Sequence, residues 1–538
     1  MDPIIRTCNR LALGAALAAV MLPGVALADD GPRDLAAYVR ARAADAEGAD
    51  AQAAAGYAQA LASQPESAVI AIRAYRAGLE AGDDALVARA VAVLDKAGVA
   101  PADAALTTLA DAARRNDKPA ALAAIGRLNG GPLGFLATPL RAWLAYETDP
   151  EAAAAGLSRL PADGIARRYA AESAALIDIA RGRSEAGLAA LRAQAWSEGQ
   201  GLDLRLAAAR QLLAQGRRDD AAALIRGAPV RLEALGAAPR PGLAYGLARL
   251  MARLAEDLEA ARAGPLGIAV ARAALAVEPG NDAARLLLAE TLGAHGALAP
   301  ALAVLDQVAP DSPYARDALG RRIDLLDEAG KFDAALALAS DAARAAVADA
   351  DDAQRLGDLL TKAGREGEAA DAYGLAMQRA GRSASWLLHL QRGGALERAG
   401  RWREAEPLLA RAVELAPDQP IALNYLGYAR LEHGGDLASA QSMLERAAML
   451  KPDSASIQDS LAWAYFRGGD APRALPILER AAMAAPDNAI INEHLGDVYW
   501  ALGRRFEARY AWRAATIVAE AADAGRIAAK LDIGPQKD

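Results

Sequence analysis

The run from Asn492 to Ala515, NEHLGDVYWALGRRFEARYAWRAA, alternates small and large apolar residues among charged ones, with one glycine where a helix would be interrupted. Leu495-Gly496 is followed by Tyr499, Gly503, Ala508, Trp512 and Ala515. The same residue classes stand 34 positions earlier, at Leu461-Ala462, Tyr465, Gly469, Ala474, Leu478 and Ala481. Pro452 and Pro486 precede the two copies. Leu426-Gly427, Ala440, Leu444 and Ala447 give a further copy, with one extra residue at Gly434-Gly435, and Gly393, Leu396, Gly400, Ala405, Leu409, Ala412 and Pro417 another. Each place has a physical reason. A glycine just past a helix end supplies left-handed backbone, and a proline cannot continue a helix. Small residues let helices touch, and large ones fill the space between them. The pattern predicts helices ended by Gly503 and, one unit earlier, by Pro486.

The register carries toward the N-terminus. Its turn residue recurs at Gly48, Gly82, Asn116, Gly182, Gly216, Gly296, Gly330 and Gly364, with small residues following at Ala53, Ala121, Ala221, Ala301, Ala335 and Ala369. Two places lose the beat. Gly130 to Asp163 holds a compressed unit around Asp149-Pro150, and Ala228 to Gly267 has an extra stretch with Pro229, Pro239 and Pro241. These breaks are expected as joints between an N-terminal arm and a C-terminal half; continuation through degenerate units is the other reading. The segment Ala519 to Ile533, with polar Asp523, Arg526 and Lys530, reads as an extra helix over the open end of the last unit.

This pattern resembles the tetratricopeptide repeat (TPR), whose unit is a pair of antiparallel helices. The resemblance is most specific in the last four units and covers most of the chain beyond residue 28. It implies an all-α TPR superhelical solenoid of roughly 12–14 helix pairs with a C-terminal capping helix. The expected organisation is a signal peptide at 1–28, a degenerate TPR array at 29–227 and an irregular joint at 228–267. A second array follows at 268–518, its best units at 386–515, then the capping helix and tail at 519–538. The chain is also similar to large signal-bearing TPR proteins of Gram-negative bacteria, some of which are lipoproteins serving as adaptors for carboxyl-terminal processing proteases. It departs from those adaptors in lacking a lipobox cysteine.

In the repeat's geometry the second, fifth, ninth and twelfth residues of a unit face the concave side. Here these are Ile421, Asn424, Tyr428 and Leu431, then Ser456, Asp459, Trp463 and Phe466, then Ile490, Glu493, Asp497 and Trp500. Large apolar residues not needed for the fold's own core mark a contact surface. The candidate partner-binding residues are therefore Tyr428, Asp459, Trp463, Phe466, Arg467, Glu493, Asp497 and Trp500. Packing on the next unit or under the capping helix is the structural alternative for the aromatic ones. Tyr465, Tyr499 and Trp512 hold core places and receive no binding role. One known TPR groove clamps a terminal carboxylate with Lys and Asn; the matching places here carry Tyr428, Trp463, Asp497, Asn424, Asp459 and Glu493. An apolar or basic segment is the expected ligand.

Composition narrows the picture further. Alanine dominates the apolar fraction of this 538-residue chain and aromatic residues make up only 4%, which suits closely packed helices. A net charge of −8 argues against a generic nucleic-acid surface. Arg6 and Arg10 precede an apolar run from Leu11 to Leu22, Pro23-Gly24 breaks it, and Ala26-Leu27-Ala28 gives small residues at peptidase spacing. This order predicts a Sec-type signal peptide cleaved after Ala28, and a periplasmic protein. The run is too short for a bilayer of roughly 30 Å, so no transmembrane span is expected after processing. The single cysteine, Cys8, lies in this leader, which leaves the mature chain without thiol chemistry.

The four histidines, His295, His389, His433 and His494, have no metal-ligand spacing and read as surface or packing residues. No Gly-x-Ser-x-Gly elbow occurs. At Gly330-Lys331 a phosphate loop would need a glycine where Leu325 stands and a Ser or Thr where Phe332 stands. The sequence thus predicts no enzyme, no cofactor and no metal. It predicts a protein-binding scaffold or adaptor of the bacterial cell envelope, with self-association as a second form. The competing expectation is an envelope carbohydrate binder, with Trp463 and Trp500 stacking on sugars and Asp459 and Asp497 accepting from hydroxyls.

Overall fold

The computed structural model describes residues 35–157, 164–193, 201–228, 230–260 and 264–534. The leader reading at 1–28, Cys8 included, lies outside them. The described regular structure is helical. In the N-terminal half it comprises α1 (Leu35–Ala46), α2 (Asp50–Ser63), α3 (Ala68–Ala81), α4 (Asp84–Lys96), α5 (Ala104–Arg115), α6 (Lys118–Asn129), α7 (Ala137–Tyr146), α8 (Pro150–Leu157), α9 (Ile165–Ala180), α10 (Ser184–Arg192), α11 (Leu202–Ala214), α12 (Arg218–Leu224), α13 (Leu243–Ala260) and α14 (Gly264–Val277). There follow α15 (Asp282–Ala294), α16 (Leu298–Leu305), α17 (Ala315–Glu328), α18 (Phe332–Arg344), α19 (Ala350–Lys362), α20 (Glu366–Ala380), α21 (Trp386–Arg398), α22 (Trp402–Leu415), α23 (Pro420–Glu432), α24 (Leu437–Leu450), α25 (Ala455–Arg467), α26 (Ala471–Ala484), α27 (Ala489–Ala501), α28 (Arg505–Val518) and α29 (Ala521–Ile533). Among the described residues α1–α16 pack as eight first-and-second pairs and α19–α28 as five, and α29 follows them. The chain is an all-α solenoid of helix pairs.

The turns explain the pairing. Each of the twelve turn positions named from the sequence has a positive φ, from 55° at Asn116 to 86° at Gly182 and Gly469. Glycine takes that backbone without strain and asparagine tolerates it. The next helix then starts on a side-chain cap: Asp83, Asp117, Asp436 and Asp470 each accept the amide three residues on. Between pairs, Ser67, Asn281, Ser385 and Asn488 do the same for first helices.

The chain divides into two compact units, one up to Ala335 and one from Leu336 onward. The sequence expectation placed the division at 228–267. That stretch holds a short 3-10 turn at Leu232–Ala234 and then α13, an 18-residue helix. It packs wholly within the N-terminal unit. Pro239 and Pro241 end no domain; they precede a helix that folds back onto its predecessors.

In the N-terminal unit, α13 lies against the first helices α5, α7, α9 and α11, and α14 lies against α3 and α5. The contacts are specific. Tyr245 meets Trp143 edge-on at 5.2 Å, and a Cβ on Gly246 would stand 2.0 Å from the Trp143 ring. Tyr169 donates to Asp257 at 2.7 Å, and Arg249 bridges to Asp203 at 2.7 Å. Arg272 caps α3, donating to the carbonyls of Leu79 at 2.9 Å and Glu80 at 3.1 Å. The chain's own helices fill the face that first helices would otherwise present to a ligand.

In the C-terminal unit, the first helices α23, α25 and α27 pack one on the next more closely than their second helices do. The stack therefore curves toward its first-helix side. Gly393, Gly427 and Gly496 stand where the partner helix crosses, and a Cβ at Gly496 would lie 2.3 Å from Nε1 of Trp512.

Candidate functional site

The first-helix face of the C-terminal unit carries the predicted residues in two separate groups. The first is an aromatic cluster on α23, α25 and α27. Trp463 and Phe466 are 5.1 Å apart between ring centroids, and His494 stacks on Trp463 at 3.9 Å with 12° between planes. Tyr428 sits 6.5 Å from His494 on the other side. Nδ1 of His494 is 2.9 Å from Oδ1 of buried Asp459. Burial pulls the His494 pKa down, but the charge and hydrogen bond of Asp459, with Asp497 and Glu493 behind it, outweigh this and hold it above 6.5. His494 is thus a packing histidine, as its sequence position suggested.

This cluster is rich in acceptors. The Nε1 of Trp463 donates to Glu432 at 2.9 Å, and Arg467 approaches the same carboxylate at 3.5 Å. Burial pushes the Tyr428 phenol well above its ordinary value, helped by Glu432, Asp459 and Glu493. Asn424 keeps a buried Oδ1 with no hydrogen-bond donor. One unit back, Tyr425 donates to Glu397 at 3.3 Å, and His433 lies 3.1 Å from that carboxylate while stacking on Trp402 at 4.4 Å. Glu432 was missed by the position rule. Its signal was present, because Arg467 in the next unit holds the same thirteenth place.

The second group is covered. Trp500 packs on Trp512 at 5.4 Å and under Gly534, whose Cβ would lie 2.3 Å from the indole. Glu493 is held by Arg526 and by Lys530 at 2.6 Å. Asp497 receives Lys530 at 2.6 Å and the Trp512 Nε1 at 2.9 Å. The predicted stripe therefore does not run on as an open surface past α25. The position rule assumes another unit, and here α29 lies across those places with two cations matched to two buried carboxylates.

The accessible part of the candidate site is thus Tyr428, Trp463, Phe466 and Arg467, with Glu432 beside them and Asp459 beneath. The other two histidines serve their own helices: His295 contacts the carbonyl of Thr291 at 2.7 Å, and His389 that of Ser385 at 2.9 Å. Among the described residues no helix is long and apolar enough to cross a membrane.

Residues 386–431, spanning α21, α22 and most of α23, match the tetratricopeptide repeat family. No curated protein matches it. Among solved structures it is similar to a tetratricopeptide repeat protein from Parabacteroides merdae, 15% identical over 46% of this chain and 96% of the other, with a TM-score of 0.38. It is also similar to YrrB, a TPR protein with an unusual peptide-binding site, 24% identical over 32% of this chain and 88% of the other, TM-score 0.28. A thermophilic TPR protein in Thermus thermophilus is 22% identical over 34% of this chain and 98% of that one, TM-score 0.31. At these scores the three likenesses bear on no functional point.

Proposed function

We propose that the chain is a non-enzymatic scaffold that holds a basic, partly apolar segment of a partner protein against α23 and α25. The observation that carries this is the excess of acceptors around Tyr428, Trp463 and Phe466. Glu432 and Asp459 bring two carboxylates to this cluster, the Oδ1 of Asn424 has no donor, and Arg467 and His494 are the cationic side chains set against them. A Lys or Arg side chain of the partner supplies the missing donors, and the rings supply apolar and cation–π contact. In the N-terminal unit, among the described residues, α13 and α14 lie on the first-helix face formed by α3, α5, α7, α9 and α11. The order of charges and apolar residues in 1–28 supports export to the periplasm, where the scaffold would serve envelope proteins as an adaptor. Carbohydrate binding has less support: one face of Trp463 is spent on His494, and Trp500 is packed under α29.

The test is binding of fluorescent peptides that differ only in charge, titrated onto the wild type and onto Glu432→Gln and Phe466→Ala. A Lys/Arg peptide is expected to bind at least tenfold tighter than its Glu counterpart, and both substitutions to erase most of that preference. Equal binding of the two peptides would sink the reading.

A further inference from the structure

The second helices of the C-terminal unit carry a separate feature, away from the peptide site. Met449, Met483 and Ile517 are spaced 34 residues apart and occupy the same place, next to last in α24, α26 and α28. They are 75%, 75% and 78% exposed. Core packing does not explain them, since the second helices turn Ala405, Leu409 and Ala412, and their repeats, inward. On α28 the row widens: Phe506 and Tyr510, 71% and 57% exposed, lie 4.8 Å apart between ring centroids with their planes tilted by 59°, and Val518 adjoins Ile517. Large apolar side chains exposed at repeating places on one side of a helix stack mark a contact surface.

Cations accompany the row. Arg480, Arg505 and Arg513 are exposed, and none has an ion-pair partner among the described residues. Arg505 lies over the Trp500 ring at 4.7 Å and Arg513 over Tyr510 at 6.0 Å. Arg509 donates to the carbonyl of Leu531 at 3.0 Å and keeps its charge at the surface. Of the acids nearby, Glu507 pairs with Arg504 at 3.0 Å and Glu479 accepts from Tyr499 at 2.7 Å, while Glu520 stands exposed at the far end of α28. In a chain of net charge −8, this is a local reversal of sign.

We infer that the outer face of α26 and α28 docks on an anionic phospholipid surface. The charge complementarity is direct: unpaired guanidiniums meet lipid phosphates, while Met483, Phe506, Tyr510 and Ile517 enter the boundary between headgroups and acyl chains. Long arginine stems allow both at once. A second copy fits poorly, because apposing this face would bring Arg480, Arg505 and Arg513 against their own kind. A nucleic acid would use the cations and leave the aliphatic row in water.

The test is co-sedimentation of the full chain with vesicles of phosphatidylcholine alone and of phosphatidylcholine with phosphatidylglycerol. The wild type is expected to sediment with the anionic vesicles, at least tenfold more than with the neutral ones, and less at high salt. Met483→Ser/Phe506→Ser/Ile517→Ser and Arg480→Gln/Arg505→Gln/Arg513→Gln are each expected to lower that binding at least tenfold. All six positions are solvent-exposed, and circular dichroism checks that the helices persist. Failure to bind anionic vesicles, equal binding to neutral ones, or unchanged binding by both variants overturns the inference. So does a dimer in light scattering that the apolar variant dissociates, which would assign the face to a second copy. None of these outcomes touches the peptide site on α23 and α25.

Discussion

His494 lies flat on Trp463, ring centroids 3.9 Å apart, and its Nδ1 donates to the buried carboxylate of Asp459 at 2.9 Å. One imidazole thus joins the aromatic cluster to an acid beneath it. The His494 pKa in the folded chain lies above its ordinary 6.5. The stability this supplies is complete below pH 6.5 and is lost as pH rises through the folded value. The melting temperature of the C-terminal unit is therefore expected to fall as pH rises above 6.5, and His494→Gln to flatten that slope. Tryptophan fluorescence is the readout, since Trp386, Trp402, Trp463, Trp500 and Trp512 all belong to this unit.

A second titration belongs to the N-terminal unit. Glu172 on α9 is 4% exposed and meets Arg253, Glu256 and Asp257 of α13, with Arg168 of its own helix nearby. Burial pushes its carboxyl up to about 7, against the opposing pull of Arg253 and Arg168. A raised carboxyl opposes folding once it must ionise, so stability falls as pH climbs from 4.5 to about 7. That gap corresponds to roughly 3 kcal/mol. Glu172→Gln is expected to be the more stable protein at about pH 8 and equal to the wild type at about pH 4, by urea titration followed with circular dichroism.

The end helix is expected to act through its two cations. Removing the partner of a buried charge costs about 3–5 kcal/mol, and Lys530 serves both Glu493 and Asp497. Lys530→Ala is expected to lower stability by a few kcal/mol at neutral pH, as measured by urea unfolding. Truncation after Ala519 is expected to shift the emission of Trp500 to the red, because its cover is gone.

Helix crossing can be probed at one atom. A methyl on Gly496 would stand 2.3 Å from Nε1 of Trp512. That indole is fully buried and tied to Asp497, so it has little room to yield. Gly496→Ala is expected to cost about 1–3 kcal/mol by overpacking, whereas Gly503→Asn, in a turn open on all sides, should cost less. Thermal unfolding of the two variants separates them.

Most of the array was legible from residue classes, because its turns need a backbone that few residues take. Gly48 and Gly503 could be paired across the whole chain on that ground alone. The site was legible only in part. The repeat's position rule located Tyr428 and Trp463, but it reads one unit against the next and says nothing of what lies over the last one. Glu493 and Asp497 thus read as rim carboxylates, yet Arg526 and Lys530 cover them. The helix from Leu243 to Ala260 was illegible for a related reason. It obeys no 34-residue spacing, and its partners stand far off in sequence, as Tyr169 and Asp257 do, 88 residues apart.

That distant pairing sets a timetable for synthesis. Most stacked repeats can fold as they leave the ribosome, each on the one before. Here Arg272 closes on Leu79 across 193 residues, so the early units wait with an apolar face bare until α13 and α14 emerge. The tail end of the chain has no such wait, because its helices close on the units beside them.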